Sequence, residues 1–311
     1  MKNSKFRMFV YVGAGLFFFL FWLVWVFPTD ALKSRILTEI ENQTQGRYKF
    51  DVGSLDVSIF GSVTFHNLKV SEGVGEGEKV LLKTPKLKLS FSPFALASMA
   101  KSPNLDFYLK GSKGDLEGNF QQDGDELRLT ASFDQFPISD LGIIGAKAKL
   151  DLSGTVDGDI DLQLNRADAA KNSGKIDLSL INLTMGPKRV SIDPSSPEAS
   201  MEIPEIKLSG GKDSGIRGEV NKENLELNSI KLQGGDLDLD LSGRVVLQGA
   251  KAGDYRLALQ GGFSIAEALA KALPFLFIIE QQKNPQGVYP LNITGRLGKP
   301  SIRIGTFQLP I

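Results

Sequence analysis

The chain has 311 residues and sets 36 Lys and Arg against 36 Asp and Glu, a formal net charge of +0. That neutrality excludes the basic excess with which nucleic-acid binders meet phosphates, and 41% hydrophobic with 23% charged residues excludes wholesale disorder. Cysteine is absent and His66 is the single histidine, which removes disulfides, thiolate chemistry, two-histidine metal sites and nearly all histidine triads.

The first element in chain order is an uncharged apolar run, Phe9–Phe27, which includes Leu16, Phe18, Leu20, Trp22 and Trp25. Crossing the hydrocarbon core takes about 20 such residues, so the run predicts one transmembrane helix. Tyr11 near one end and Trp22 and Trp25 near the other suit the two interfaces. Lys2, Lys5 and Arg7 precede the run and Asp30 follows it, a bias that Lys33 and Arg35 weaken but that still places the N-terminus inside. A cleaved signal peptide is the rival reading. Its apolar core is about 7–15 residues long and ends in a small-residue cleavage site, whereas this run is longer and ends Val26-Phe27-Pro28. Residues 1–28 are therefore read as a cytoplasmic tail and anchor.

Residues 29–46 come next as an amphipathic helix. Ala31, Leu32, Ile36, Leu37 and Ile40 recur at helical spacing, Thr29 or Asp30 serves as N-cap, and Gly46 stops the helix. It packs on the β-rich domain, lies on the membrane surface or plugs one end of that domain.

From residue 47 to 311 the period changes to two. Lys86–Leu89, Glu126–Leu129, Asp159–Leu164, Lys175–Leu180, Asp236–Leu241 and Tyr255–Leu259 alternate apolar with polar residues, as strands with one apolar and one wet face do. Clusters at Gly73–Gly77, Gly111–Gly118, Gly210-Gly211 and Gly234-Gly235 read as turns between them. The pattern predicts a mainly β, antiparallel meander. Leu152-Ser153-Gly154, Leu208-Ser209-Gly210, Leu241-Ser242-Gly243 and Ile293-Thr294-Gly295 read as strand ends. They are either ordinary turn chemistry or the mark of similar hairpins added in series. Short helices are expected at Pro93–Lys101, around Ile138–Ile144, and from a capping box Ser264–Glu267 into the apolar segment Ala268–Ile279. Pro274 shortens the last of these, which is too short to span a bilayer comfortably and reads as core or interfacial. Strands resume at Val288–Leu297 and Ser301–Leu309.

Signatures of chemistry are few. Walker, dinucleotide and zinc motifs are missing, and Gly73–Gly77 lacks the strand–helix setting of a phosphate cradle. Asp236, Asp238 and Asp240 share one strand face about 7 Å apart, too far to hold one calcium ion unaided. His66 sits in Val63–Leu68, a strand pattern, and reads as structural or surface. The chain is thus expected to be no enzyme, with no metal and no cofactor.

Three stretches carry a resemblance. They are the anchor with Pro28 and its helix, the segment Gln45–Val57 leading through Phe60–Val70, and the closing Leu291–Pro300 with Ile302 and Ile304. Together they resemble the AsmA-like superfamily and, at this length, the type II secretion system protein N (GspN) family. The resemblance implies a Gram-negative inner-membrane protein with a single span, a cytoplasmic N-terminus and a periplasmic domain that is a curved antiparallel sheet, a groove or half-barrel. It implies a non-catalytic accessory role in type II secretion, with other secretion components and membrane lipids as partners and no nucleic acid. The alternative is lipid binding or transfer in envelope homeostasis. The domain is short for the superfamily, which argues against one copy bridging the periplasm. Candidate groove positions are Leu87, Leu89, Leu127, Leu129, Ile160, Leu162, Leu178, Leu180, Leu237, Leu239, Leu241, Leu257 and Leu259. Alternation is the same for an open apolar trough and for a closed core.

Overall fold

The computed structural model describes residues 44–58, 61–73, 78–91, 103–142, 150–191, 200–248, 252–273 and 276–309, with Ser34, Thr38 and Asn42. The predicted span Phe9–Phe27 and the predicted helix Pro93–Lys101 lie outside them. Among the described residues no helix is long and apolar enough to cross a membrane. Ser34, Thr38 and Asn42 are helical and exposed. Their i, i+4 spacing puts the three on one side of a helix, and a turn at Thr44–Gly46 follows.

The alternating segments form strands: β1 (Tyr48–Asp51), β2 (Ser54–Ser58), β3 (Ser62–Glu72), β4 (Lys79–Ser90), β5 (Asn104–Lys110) and β6 (Asp115–Asp123). Then come β7 (Glu126–Pro137), β8 (Leu152–Asn165) and β9 (Ser173–Met185), and a separate hairpin of β10 (Lys188–Ser191) and β11 (Ser200–Ile203). The chain continues through β12 (Ile206–Lys207), β13 (Gly215–Asn221), β14 (Asn224–Leu232), β15 (Leu237–Val246), β16 (Arg256–Ile265), β17 (Tyr289–Arg296), β18 (Lys299–Ile304) and β19 (Phe307–Gln308). All except the β10–β11 hairpin belong to one 17-stranded sheet. Each strand from β3 to β8, and from β13 to β18, pairs antiparallel with its successor. The protein is mainly β, with a large antiparallel meander and few helices.

Two strands have their edges shared. β3 takes both β1 and β2 on one edge, and β9 takes β12 at Thr184 and Met185 and β13 along Ser173–Ser179. The gap left on β9 is closed by backbone bonds from Leu180 N to the Ser214 carbonyl and from Leu208 N and Ser209 N to the Leu183 carbonyl, and by one side chain. The Ser209 hydroxyl accepts from Leu183 N at 2.9 Å and donates to the Leu180 carbonyl at 2.8 Å. Buried backbone polar groups must be partnered, and here a serine hydroxyl serves the two that the neighbouring backbone leaves.

Because strands alternate in direction, their links gather at two ends. One end carries a 3-10 turn, Ile138–Asp140, and the helices α1 (Glu267–Ala272) and α2 (Phe277–Glu280). The other carries the tight turns at Gly124, Lys222 and Gly298 and the longer links 166–172 and 247–255. At the helical end, Leu269, Leu273, Leu276 and Ile279 bury against Leu241, Tyr289, Leu291 and Ile304. The apolar segment is therefore core there, although Phe277 and Ile278 stay exposed. The turn at 138–140 adds Ile138 to Val156 and Leu183.

Two sequence expectations are corrected. No capping box forms, since Ser264 remains in β16 paired with Asp238 and the α1 N-cap is Ala266 without a side-chain bond. Nor do all four Ser/Thr-Gly motifs end strands: Leu152–Gly154 opens β8 and Leu241–Gly243 lies inside β15. A Cβ on Gly243 would meet the Ala258 carbonyl at 2.1 Å, so close backbone approach, not a turn, requires glycine there.

Candidate functional site

Residues directly opposite each other on paired strands share a face, and side chains alternate along each strand. The register can therefore be followed across the meander. Leu87 and Leu89 stand opposite Leu109 and Phe107, Leu109 opposite Leu116, and Leu116 opposite Phe133. In β7, Leu127 and Leu129 face Leu164 and Leu162, and Ala131 faces Ile160. Ile160 continues to Ile176, and Val156 to Leu180. Leu178 passes the face to Ile216, Ile216 to Ile230 and Ile230 to Leu241. Leu237, Leu239 and Leu241 then meet Ile265, Phe263 and Gly261, while Gly243 and Val245 meet Leu259 and Leu257. All the candidate groove positions lie on one face of one sheet.

That face is unevenly covered. Leu241 at 4% and Leu259 at 8% exposure are buried, whereas the others are half-buried although most lie well inside their strands. Leucine inside a sandwich is typically fully buried. The helical segments bury Leu241 at one end of the face, while Leu127, Leu129, Leu162 and Leu164 toward the other end are half-buried.

Beside Leu127 and Leu164 lies a cavity of about 790 Å³. Leu127 and Leu164 of β7 and β8 form one wall, and Leu247 and Tyr255 from the β15–β16 link form another, with Arg166, Asn165, Asn172 and Gln248 around them. Residues from distant parts of the meander thus enclose one space. Leu164 is the last apolar member of the Asp159–Leu164 alternation, although it was not among the candidate groove positions. Leu247 and Tyr255 were not legible, because no local pattern says which link the sheet brings opposite Leu127. No family model, curated protein or solved structure matches the chain.

The wet face offers binding surface and little chemistry. A second cavity of about 540 Å³ opens there, lined in part by Lys88, Asp106, Tyr108, Glu117, Asn119, Asp159 and Asp161. Its polar groups engage one another: the Asn119 amide donates to Asn104 at 2.8 Å and Asp106 at 2.7 Å. Burial, and then the nearby Asp115 carboxyl, push the Tyr108 hydroxyl above its ordinary pKa, the reverse of an activated nucleophile. Asp236 and Asp238 cap the backbone N–H groups of Lys207 and Gly234. His66 Nε2 lies 2.8 Å from Asp56 Oδ2 at the surface. Among the described residues no group of His, Asp and Glu side chains could hold a metal ion.

Proposed function

We propose that this chain is a non-catalytic, membrane-anchored envelope protein whose sheet forms a groove that holds acyl chains along its apolar face. The observation that carries this is the half-buried strip through Leu129 and Leu162, opening into the cavity between Leu127, Leu164, Leu247 and Tyr255. The cavity sets apolar walls from Leu127, Leu164 and Leu247 against a polar side of Asn165, Arg166, Asn172 and Gln248. Apolar walls with polar groups that fix orientation are what a site for an acyl chain with a polar head needs. The anchor expected at Phe9–Phe27 would keep such a groove beside its supply of lipid.

The test is purification of the full chain in a maltoside detergent, followed by mass spectrometry of extracted lipid. Wild type should carry acyl lipid in fixed ratio. A Leu129→Glu, Leu162→Glu double variant should lose it while keeping its far-ultraviolet circular dichroism. Equal lipid in both proteins would count against the groove.

The resemblance to the GspN family supports a second reading, an accessory role in type II secretion beside other components of that apparatus. Deletion separates the two. Lost exoprotein release with normal lipid asymmetry favours secretion, and the converse favours lipid handling.

A further inference from the structure

We infer that the cavity beside the 166–172 link selects amphiphiles with an anionic head, and that Arg166 is the residue that reads the charge. This rests on the acyl-binding reading and specifies its ligand.

Arg166 is the charged side chain in the cavity lining; the remaining contributors are apolar or neutral. The link that carries it is fixed by hydrogen bonds. Arg166 N donates to the Asp125 carbonyl at 2.9 Å. Asn165 Oδ1 accepts from Ala167 N at 3.0 Å and Asp168 N at 2.8 Å, and Asn165 N donates to Asn172 Oδ1 at 2.6 Å. The backbone at Arg166 is therefore positioned before any ligand arrives.

Four acidic groups on the turns at this end are otherwise engaged. Glu126 pairs with Arg128 at 2.7 Å, Asp168 with Lys171 at 3.7 Å, and Asp254 with Arg296 at 3.9 Å. Glu223 accepts from Gln248 Nε2. Among the described residues the Arg166 guanidinium takes part in no ion pair. A guanidinium presents a planar fork of donors that matches a carboxylate or a phosphate. Set at the rim of a space walled by Leu127, Leu164, Leu247 and Tyr255, it suits a ligand with an acyl tail and an anionic head.

The experiment titrates the full chain in maltoside detergent with palmitate, hexadecyl phosphate and hexadecanol, read by native mass spectrometry. Wild type should bind at least one anionic probe about tenfold tighter than hexadecanol, the factor expected of one charge-assisted hydrogen-bonded contact. Preference for palmitate points to a fatty-acid carboxylate, and preference for hexadecyl phosphate to a phosphate head. Arg166→Gln should abolish the preference and leave hexadecanol binding unchanged, and Arg166→Lys should keep part of it. Equal binding of all three probes by wild type, or a preference that survives Arg166→Gln, overturns the role of Arg166 and leaves the acyl groove standing. Binding of none of the probes overturns both.

Discussion

Tyr289, only 1% exposed, donates its hydroxyl proton to Glu280 Oε2 at 2.8 Å and so ties α2 to β17. Its ring stacks on Phe263 with centroids 5.0 Å apart, and Lys283 Nζ lies 5.2 Å from the ring centroid and 2.7 Å from Glu280. The hydrogen bond from Lys283, and then that from Tyr289, hold the Glu280 carboxyl below its ordinary 4.5. A carboxyl depressed in the fold stabilises it above the unfolded value, and that contribution is lost as pH falls through the folded value. Glu280→Gln, an isostere of the protonated acid, should therefore melt below wild type at pH 7 and match it once the pH is well below 4.5. Thermal melts of both proteins across that range check it. Burial, and then Glu280, raise the Tyr289 pKa above 10.0, so this phenol's contribution is present below that value and fades as pH rises through the folded one.

Ser209 holds the fold in a different way. Its hydroxyl is buried and satisfies both Leu183 N and the Leu180 carbonyl where β12 and β13 leave β9 unpaired. Ser209→Ala strands a donor and an acceptor away from water, at a cost of about 1–3 kcal/mol. Urea unfolding should show a lower midpoint with an unchanged slope, and the Leu183 amide should lose protection from hydrogen exchange.

How much of this was legible follows from what period two can carry. Leu237, Leu239 and Leu241 announce a strand with one apolar face, and the same holds for Leu127 and Leu129, so the sheet and its face were readable. Alternation is local, however. It does not say that Leu127 ends opposite Leu247 and Tyr255, because that depends on how the whole meander turns back on itself. The Ser-Gly motif misled for a related reason: glycine serves turns and close backbone approach alike, and only the register places Gly243 inside β15.

Gly158 tests that second use of glycine. It lies within β8 between Phe133 and Leu178 at φ 125°, and a Cβ there would meet the Asp177 carbonyl oxygen at 2.0 Å. Gly158→Ala adds overpacking to backbone strain and should cost ~3 kcal/mol or more. Gly124 in the β6–β7 turn is the control. Its φ of 56° is also left-handed, but a Cβ on Gly124 would meet nothing within 4 Å, so Gly124→Ala should cost only about 1–2 kcal/mol. Denaturant midpoints of the two variants give the comparison.

The apolar run Ala268–Ile279 divides between two environments, and the division can be measured. Ile279 is buried with Leu269, Leu273 and Leu276 against β15, β17 and β18, while Phe277, two residues earlier, is 74% exposed. Ile279→Ala should cost about 2–5 kcal/mol, as cavity-forming core truncations do. Phe277→Ser should stay within about 0.5 kcal/mol, as surface changes do. Their order matters more than either value. A greater loss at Phe277 than at Ile279 would mean that α2 docks through its opposite side. The Tyr289–Glu280 bond would then not be what holds it, and the cover over this end of the apolar face would be differently built.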